Sequence, residues 1–186
     1  MKTDRNRWEA RYAADRDEFP PPDPFLVHYA HLLVPGRALY PACGLGANAL
    51  FLAEQGYEVD ATDVSFAALS RLQDEAARRG LRVRTFVADL DYYPFPQGRY
   101  DLALVFYFFS PALIPSIKAT LKCGGMIVYS TYNYRHTSVK PGFNPDYLTP
   151  PGGLSSCFSD FDILVSEPEA GEHGNLSRLI GRKRNT

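Results

Sequence analysis

Hydrophobic positions along the chain come in two patterns, short apolar runs and longer amphipathic stretches, and the two alternate from residue 37 onward. The apolar runs predict strands at 37–41, 57–62, 81–87, 100–106 and 126–131. The amphipathic stretches predict helices at 47–55, 66–79 and 112–121. Ser65 is placed to cap the second of these helices, and Gly80 is placed to end it. Two last strands, 162–166 and 176–181, are predicted to pair antiparallel.

The N-terminal part of the chain differs from the rest. Residues 5–18 are rich in charge, and Trp8 and Tyr12 lie four residues apart, so both rings share one face of a predicted helix. Prolines at 20–22 and 24 then break that helix, and a second short helix is predicted at 25–33. We therefore divide the chain into an N-terminal helix and proline-rich connector at 1–24 and a single domain at 25–186. The N-terminal helix is a candidate lid, and the alternative is a helix docked permanently on the sheet.

This order of elements predicts the fold class. Strands that alternate with helices at such spacing form a mostly parallel sheet covered on both faces, and right-handed crossovers make the sheet doubly wound. We expect an α/β protein with a central, mostly parallel seven-stranded sheet whose last strand is antiparallel. Ligands of such sheets bind at the carboxyl ends of the strands, beside the first strand.

Composition excludes several classes of function. The 186 residues carry 20 Lys and Arg against 21 Asp and Glu. A net charge of -1 does not indicate the excess of positive charge that binding to a nucleic-acid backbone requires. No run approaches the roughly 20 apolar residues of a membrane helix, and the first residues show no secretory signal. Three widely spaced cysteines favour a reducing, cytoplasmic setting over a disulfide scaffold. His28 and His31 have no third ligand nearby, so we predict no metal site.

The turn after the first predicted strand carries the strongest chemical signal. Gly44 and Gly46 let the main chain approach a ligand closely, and the helix from Ala47 presents its N-terminal amides there. Asp63 ends the next strand, about 20 residues on, where a carboxylate can accept hydrogen bonds from a ribose diol. The alternative role for Asp63 is to cap the helix that begins near Ser65.

Two ligands fit this design, a nicotinamide or flavin dinucleotide and S-adenosylmethionine. The pattern Gly44-x-Gly46-x-x-Ala49 satisfies the dinucleotide fingerprint, so the turn does not decide between them. After the third strand come Asp89, which can accept a bond from an adenine amino group, and Leu90, which can pack on the ring.

At these positions the chain resembles the class I S-adenosylmethionine-dependent methyltransferases. The successive motifs of that family are matched by ALYPACGLGANALFLAEQGYEVDATDVS, ADLDYYPF, YDLALVFYFF and LKCGGMIVYSTYN. The small tellurite-resistance-type methyltransferases share, in addition, the elements matched here by WEARYA, PDPF and IGRK. The resemblance implies methyl transfer from S-adenosylmethionine to a small molecule such as a thiol, a metalloid oxyanion such as tellurite, or another small nucleophile. From the near-zero net charge and the lack of a long apolar run, we expect neither a nucleic-acid nor a membrane partner.

The resemblance also implies the site residues. Those expected to bind the cofactor are Tyr40, Ala42, Cys43, Gly44, Gly46, Asn48, Asp63, Val64, Asp89, Leu90 and Phe106. Tyr107 and Phe108 follow the fourth strand, where the transferred methyl lies in the family, and His136 is a candidate guide for the acceptor. Further candidate guides for an anionic acceptor are Arg135, His173 and Arg178.

Two positions depart from the family pattern. The family usually has an acid where Tyr40 stands and a glycine where Ala42 stands, and a tyrosine supplies no negative charge at neutral pH. Two alternatives therefore stay open beside methyl transfer. One is an NAD(P)-binding reductase, and the other is a non-catalytic regulator that binds S-adenosylmethionine.

Overall fold

A computed structural model describes residues 2–14 and 19–185 of the chain. The helices are α1 (Lys2–Ala14), α2 (Pro24–Tyr29), α3 (Ala47–Glu54), α4 (Phe66–Arg79), α5 (Ile114–Thr120), α6 (His136–Val139) and α7 (Gly153–Cys157). The strands are β1 (Arg37–Pro41), β2 (Glu58–Asp63), β3 (Val83–Val87), β4 (Tyr100–Phe106), β5 (Leu121–Tyr132), β6 (Phe161–Ala170) and β7 (Leu176–Lys183). Short 3₁₀ helices cover Ala30–Leu32 and Pro145–Tyr147.

The strands form a seven-stranded sheet in the order β3-β2-β1-β4-β5-β7-β6. Neighbours β1 and β2, β2 and β3, and β4 and β5 are parallel, whereas β7 is antiparallel to both β5 and β6. The predicted α/β fold with an antiparallel last strand is therefore confirmed. The chain divides into two compact units, Met1–Pro94 and Phe95–Thr186. The sequence-based division at residue 24 stays a prediction.

In the first unit, the core lies between β1, β2 and the buried face of α4. Leu69, Leu72 and Ala76 follow one another at helical spacing on that face, and all three are buried. The Ser65 hydroxyl accepts a hydrogen bond from the Ala68 amide at 3.2 Å, and Gly80 ends the helix with φ of 67°. Both boundaries of α4 are those that the sequence predicts, because each is fixed by a local capping residue.

In the second unit, β4 and β5 carry the core. Every residue of β4 except Asp101 is buried, as expected for a strand covered on both faces. The Tyr129 ring of β5 lies 5.9 Å from the Phe158 ring. The Lys183 ammonium donates to the carbonyls of Lys118 and Leu121 at 3.0 Å and 2.8 Å, which satisfies main-chain acceptors at the end of α5.

Some boundaries differ from the sequence-based expectations. Strand β5 begins at Leu121 rather than Met126, because Leu121 pairs with Tyr100 before the register shifts at a bulge that contains Gly124 with φ of 74°. The sequence predicts no helix between residues 131 and 162, whereas the structure has α6, a 3₁₀ helix and α7 there. Residues 15–18 of the predicted N-terminal helix lie outside the described residues. None of the described helices is long and apolar enough to cross a membrane.

Candidate active site

The glycine turn, residues 42–46, connects β1 to α3, and three of its five residues have a left-handed backbone conformation. Ala42, Gly44 and Gly46 have φ of 52°, 53° and 72°. The turn is fixed by the Cys43 amide, which donates to the Thr62 carbonyl at 3.0 Å, and by the Gly46 amide, which donates to the Cys43 carbonyl at 2.9 Å. Helix α3 then begins at Ala47. The first amides of α3 receive no side-chain cap from Gly46, because glycine has no side chain.

Asp63 ties this turn to the start of α4. Its carboxylate is 7 % exposed and accepts hydrogen bonds from the Gly44 amide at 2.8 Å and from the Ser65 amide at 2.9 Å, one on each oxygen. Burial raises the pKa of this carboxyl, and the main-chain amides oppose that shift. A carboxylate offers about four acceptor positions, so Asp63 can fix the turn and still receive a ribose diol. The side chain that caps α4 is the Ser65 hydroxyl and not the Asp63 carboxylate.

Tyr40 and Asn48 belong to a buried hydrogen-bonded chain. The Asn48 amide donates to the Tyr40 hydroxyl at 3.2 Å and accepts from the Asp23 main-chain amide at 2.7 Å. Burial raises the pKa of Tyr40 far above its ordinary value, so the position where the family has an acid carries a neutral hydroxyl. Both ends of the Asn48 amide thus have protein partners, and these contacts hold the proline-rich connector against α3.

Ala42 adopts a conformation that favours glycine, and its replacement gives a first prediction. A left-handed residue with a Cβ is strained by about 1–2 kcal/mol, while the flexibility that glycine adds to the unfolded chain costs about 0.4–1 kcal/mol. We therefore expect Ala42→Gly to raise the free energy of unfolding by up to about 1 kcal/mol in urea denaturation. The control Ala53→Gly, inside α3, should lower it by a similar amount. A loss in both variants would show that Ala42 is unstrained.

The remaining predicted cofactor residues of the first unit are close to Asp63. The Ala88 amide donates to the Asp63 carbonyl at 3.1 Å, which brings exposed Asp89 and half-buried Leu90 beside it. Val64 directly follows Asp63 and is half-buried. The Cys43 thiol is buried, and burial raises its pKa, so it stays protonated at neutral pH. Cys43 is therefore part of the turn and has no nucleophilic character.

In the second unit, Tyr107 stands out at the end of β4. It has φ of 55° and is 50 % exposed, and its amide donates to the Ser130 carbonyl at 2.8 Å. A strained, exposed aromatic residue at a strand end is typical of a functional site. Phe106 before it is buried, and the carbonyl of half-buried Phe108 accepts from the Tyr129 hydroxyl at 3.0 Å. The Tyr107 ring lies 5.3 Å from the Tyr132 ring.

His136 lies in the aromatic cluster that continues from Tyr132. Its ring stacks on Tyr132 at 3.8 Å and meets Phe143 edge-on at 4.7 Å, and its Nδ1 lies 2.9 Å from Nδ2 of Asn175. Burial, and then the charge of Lys140, lower the pKa of this imidazole. His136 is thus a neutral ring at neutral pH, so an anionic acceptor would find no positive charge on it.

The burial of a neutral His136 leads to a second prediction. Its pKa is lower in the folded chain than the unfolded value of about 6.5, so acid favours the unfolded state. We expect the free energy of unfolding to fall as the pH drops below about 6.5, down to the pKa of the folded state. Urea denaturation at pH 7.5 and 5.5 should show a smaller fall for His136→Gln than for the exposed control His31→Gln. Equal falls would contradict a buried neutral imidazole.

The candidate guides for an anionic acceptor separate into two groups. Arg135 and His173 line one open cleft of about 480 Å³, together with Ser138 and Val139. Arg135 also pairs with Glu169 at 2.9 Å. Arg178 is elsewhere, on β7, with its guanidinium 3.4 Å from the Glu167 carboxylate. The structure therefore brings together two of the residues that the sequence named separately. Among the described residues, no three His, Cys, Asp or Glu side chains could hold a metal ion.

Sequence reasoning missed Glu9. Its carboxylate accepts from the Ser65 hydroxyl at 2.7 Å and from the Ala67 amide at 3.2 Å, at the first turn of α4. The signal in the sequence that could have indicated Glu9 is its position next to Trp8, close to the helix face that Trp8 and Tyr12 share. The Tyr12 hydroxyl, one turn further on, lies 2.5 Å from the place where a Cβ on Gly44 would be.

These features together define a class of protein. The strand order with an antiparallel β7, a glycine turn after β1 and a buried carboxylate at the end of β2 are those of the class I S-adenosylmethionine-dependent methyltransferases. Residues 38–125 match the family model described as a methyltransferase domain. This match covers just under half of the chain, and residues 38–125 are thus similar to a methyltransferase domain.

Two curated proteins and a solved structure are similar to parts of this chain. Hemagglutinin 1 of Eikenella corrodens is 36% identical over 93 residues, which are 48% of this chain and 31% of that protein. Ribosomal RNA small subunit methyltransferase C of Alcanivorax borkumensis is 36% identical over 70 residues, 38% of this chain and 21% of that protein. The matched part of the chain thus spans less than a third of either curated relative. The crystal structure of TehB from Haemophilus influenzae superimposes with a TM-score of 0.76 at 18% identity, covering 95% of this chain and 67% of that one, and shows the shared fold.

Proposed function

We propose that this chain transfers a methyl group from S-adenosylmethionine to a small-molecule acceptor. The observation that carries the proposal is the Asp63 carboxylate, which is buried at the end of β2 and bonded to the Gly44 amide at 2.8 Å. It joins a carboxylate with spare acceptor positions to a main-chain turn whose glycines admit close approach. An adenosyl group with a free ribose diol fits both features.

The residues that would hold the cofactor are those of the first unit. Asp63 would accept from the ribose, Asp89 and Leu90 would meet the adenine, and the turn from Ala42 to Gly46 would meet the amino-acid end. When bound, the cofactor supplies a methyl group on a sulfonium. Alignment of donor and acceptor can contribute about 7–11 kcal/mol to such a reaction, so the task of the protein is mainly to position the partners.

The residues proposed for the acceptor side are Tyr107, Phe108 and His136. Aromatic rings exclude water and attract a nearby sulfonium by cation–π interaction. Since His136 is neutral, positive charge for an anionic acceptor would come from Arg135, at the cleft that it lines with His173, or from Lys140 beside His136. A thiolate or a metalloid oxyanion such as tellurite needs desolvation and guidance but no general base. These are the acceptors we favour, in line with the resemblance to tellurite-resistance-type enzymes.

The neutral Tyr40 and the strained Ala42 favour one second candidate function. If the turn holds the amino-acid end of the cofactor without a carboxylate, the chain could bind S-adenosylmethionine as a regulator and not turn it over. Binding and turnover therefore have to be measured separately.

The test combines calorimetry with a turnover assay. Purified protein is titrated with S-adenosylmethionine, S-adenosylhomocysteine and NADH, and release of S-adenosylhomocysteine is then followed with thiols, tellurite, selenite and small amines as acceptors. We expect binding of both adenosyl compounds, no binding of NADH, and turnover with a thiol or an oxyanion. Binding without turnover on the whole panel would favour the regulator, and binding of NADH alone would favour the reductase.

A further inference from the structure

Helix α1 is attached to the first unit by one narrow face. Among residues 5–14, for which exposure is described, Trp8, Glu9 and Tyr12 are partly covered and the other seven are exposed. A helix of 13 residues with so little apolar contact is marginal by itself in water. Its docking therefore depends on a few contacts that can break without unfolding the rest of the unit.

The first of these contacts is made by Glu9 on the first turn of α4. The Ser65 hydroxyl donates to the Glu9 carboxylate at 2.7 Å, and the Ala67 amide donates to both of its oxygens at 3.2 Å. These are charge-assisted hydrogen bonds at the positive end of a 14-residue helix. Accordingly, these bonds lower the pKa of Glu9.

The second contact places an aromatic side chain over the glycine turn. The Tyr12 hydroxyl lies 2.5 Å from where a Cβ on Gly44 would be, and the Tyr12 ring stacks on Trp8 at a centroid distance of 5.8 Å. The Gly44 amide is in turn bonded to Asp63, and Asp63 is bonded to the Ser65 amide. A closed circuit of contacts therefore runs from α1 through Ser65 and Asp63 to the turn and back to α1.

We infer that Glu9 is a positioning residue, which holds α1 closed over the glycine turn so that Tyr12 retains an adenosyl cofactor bound there. The inference rests on the proposed function, since it concerns the same site. It deepens that function by naming the contact that sets how fast the cofactor leaves. Opening requires the loss of the Glu9 hydrogen bonds and of the contacts of the Trp8 and Tyr12 rings, and the sheet beneath stays folded.

The test uses Trp8, the single tryptophan of the chain, as a built-in reporter on α1. Glu9→Ala removes every acceptor of the contact and keeps a good helix former. We expect acrylamide to quench Trp8 fluorescence more strongly in this variant. We also expect stopped-flow measurements to show S-adenosylhomocysteine leaving about tenfold faster, or more, for the loss of charged hydrogen bonds. The matched control is Glu54→Ala, which removes an exposed helical Glu that pairs with Arg79 at 2.9 Å and should leave both readouts unchanged.

Two further measurements separate positioning from general stability. The urea midpoint of Glu9→Ala should match that of Glu54→Ala, because α1 lies outside the core. Ser65→Thr, which keeps the hydroxyl, should retain the slow dissociation that Ser65→Ala loses.

Unchanged quenching of Trp8 in Glu9→Ala would overturn the role of Glu9. Stronger quenching with unchanged or slower dissociation would overturn the retention of the cofactor. If the wild-type protein binds neither adenosyl compound, the proposed function fails and retention fails with it, while the quenching comparison still decides whether Glu9 holds the helix.

Discussion

Asp63→Ala is expected to weaken binding of S-adenosylmethionine by about 1.5–3 kcal/mol, which corresponds to a loss of affinity of roughly 10- to 150-fold. The carboxylate is the charged acceptor at the turn, and its removal also leaves the buried amides of Gly44 and Ser65 without their partner. Isothermal titration calorimetry measures the effect directly. Because burial raises the pKa of this carboxyl, the affinity of the wild type should also fall as the pH is lowered toward that raised value.

Two variants serve as controls for Asp63→Ala. Asp63→Asn keeps one acceptor oxygen and the side-chain volume, so it should lose less affinity than the alanine variant. Asp101→Asn removes a carboxylate that pairs with Lys122 at 2.7 Å and is far more exposed than Asp63, and it should bind as the wild type does. If Asp63→Ala binds with unchanged affinity, Asp63 does not contact the cofactor, and its role is only to fix the turn.

Gly46→Ala is expected to lower the free energy of unfolding by about 2–5 kcal/mol. Gly46 has φ of 72°, which strains any residue with a Cβ by about 1–2 kcal/mol. In addition, its Cβ would lie 2.4 Å from Cδ2 of Leu72, and overpacking of this kind typically adds about 1–3 kcal/mol. Leu72 is fully buried, so it cannot swing away into solvent. Urea denaturation measures the loss.

Gly80→Ala is the matched control for Gly46→Ala. Gly80 has a similar φ of 67°, but no atom lies within 4 Å of the place where its Cβ would be. It should therefore show only the loss due to backbone strain, and the difference between the two variants isolates the contact with Leu72. Equal losses would mean that α4 yields to the added methyl group, so the turn and α4 would be less tightly packed than the structure indicates.

The regular elements of the fold could be predicted because their signals are local. The boundaries of α4 follow from Ser65 and Gly80, and those of β4 follow from a continuous apolar run that ends at Phe106. The start of β5 could not be predicted in this way, since Lys122 to Gly125 has the composition of a turn. Its place in the strand is decided by pairing of Leu121 with Tyr100, a contact between residues distant in the sequence.

The candidate site likewise has some features that the sequence predicts and others that it does not. The glycine turn and Asp63 were predictable as neighbours, because the carboxyl ends of adjacent parallel strands meet at one edge of a sheet. The contact of Glu9 with Ser65 was not predictable, since 56 residues separate them and no periodicity connects them. The neutral state of His136 likewise depends on Tyr132, Phe143 and Asn175 around it, which no spacing reveals.

The amino-acid sequence by itself determined the succession of strands and helices, the glycine turn and the acid that follows it, because these depend on periodicity, capping residues and strand order. Only the tertiary structure decided which groups around the turn are charged, paired or covered. Burial raises the pKa values of Tyr40 and Cys43, and the docking of α1 sets Tyr12 above Gly44. Desolvation and contacts between distant residues arise only when the chain has folded, and they determine how this turn can hold a ligand.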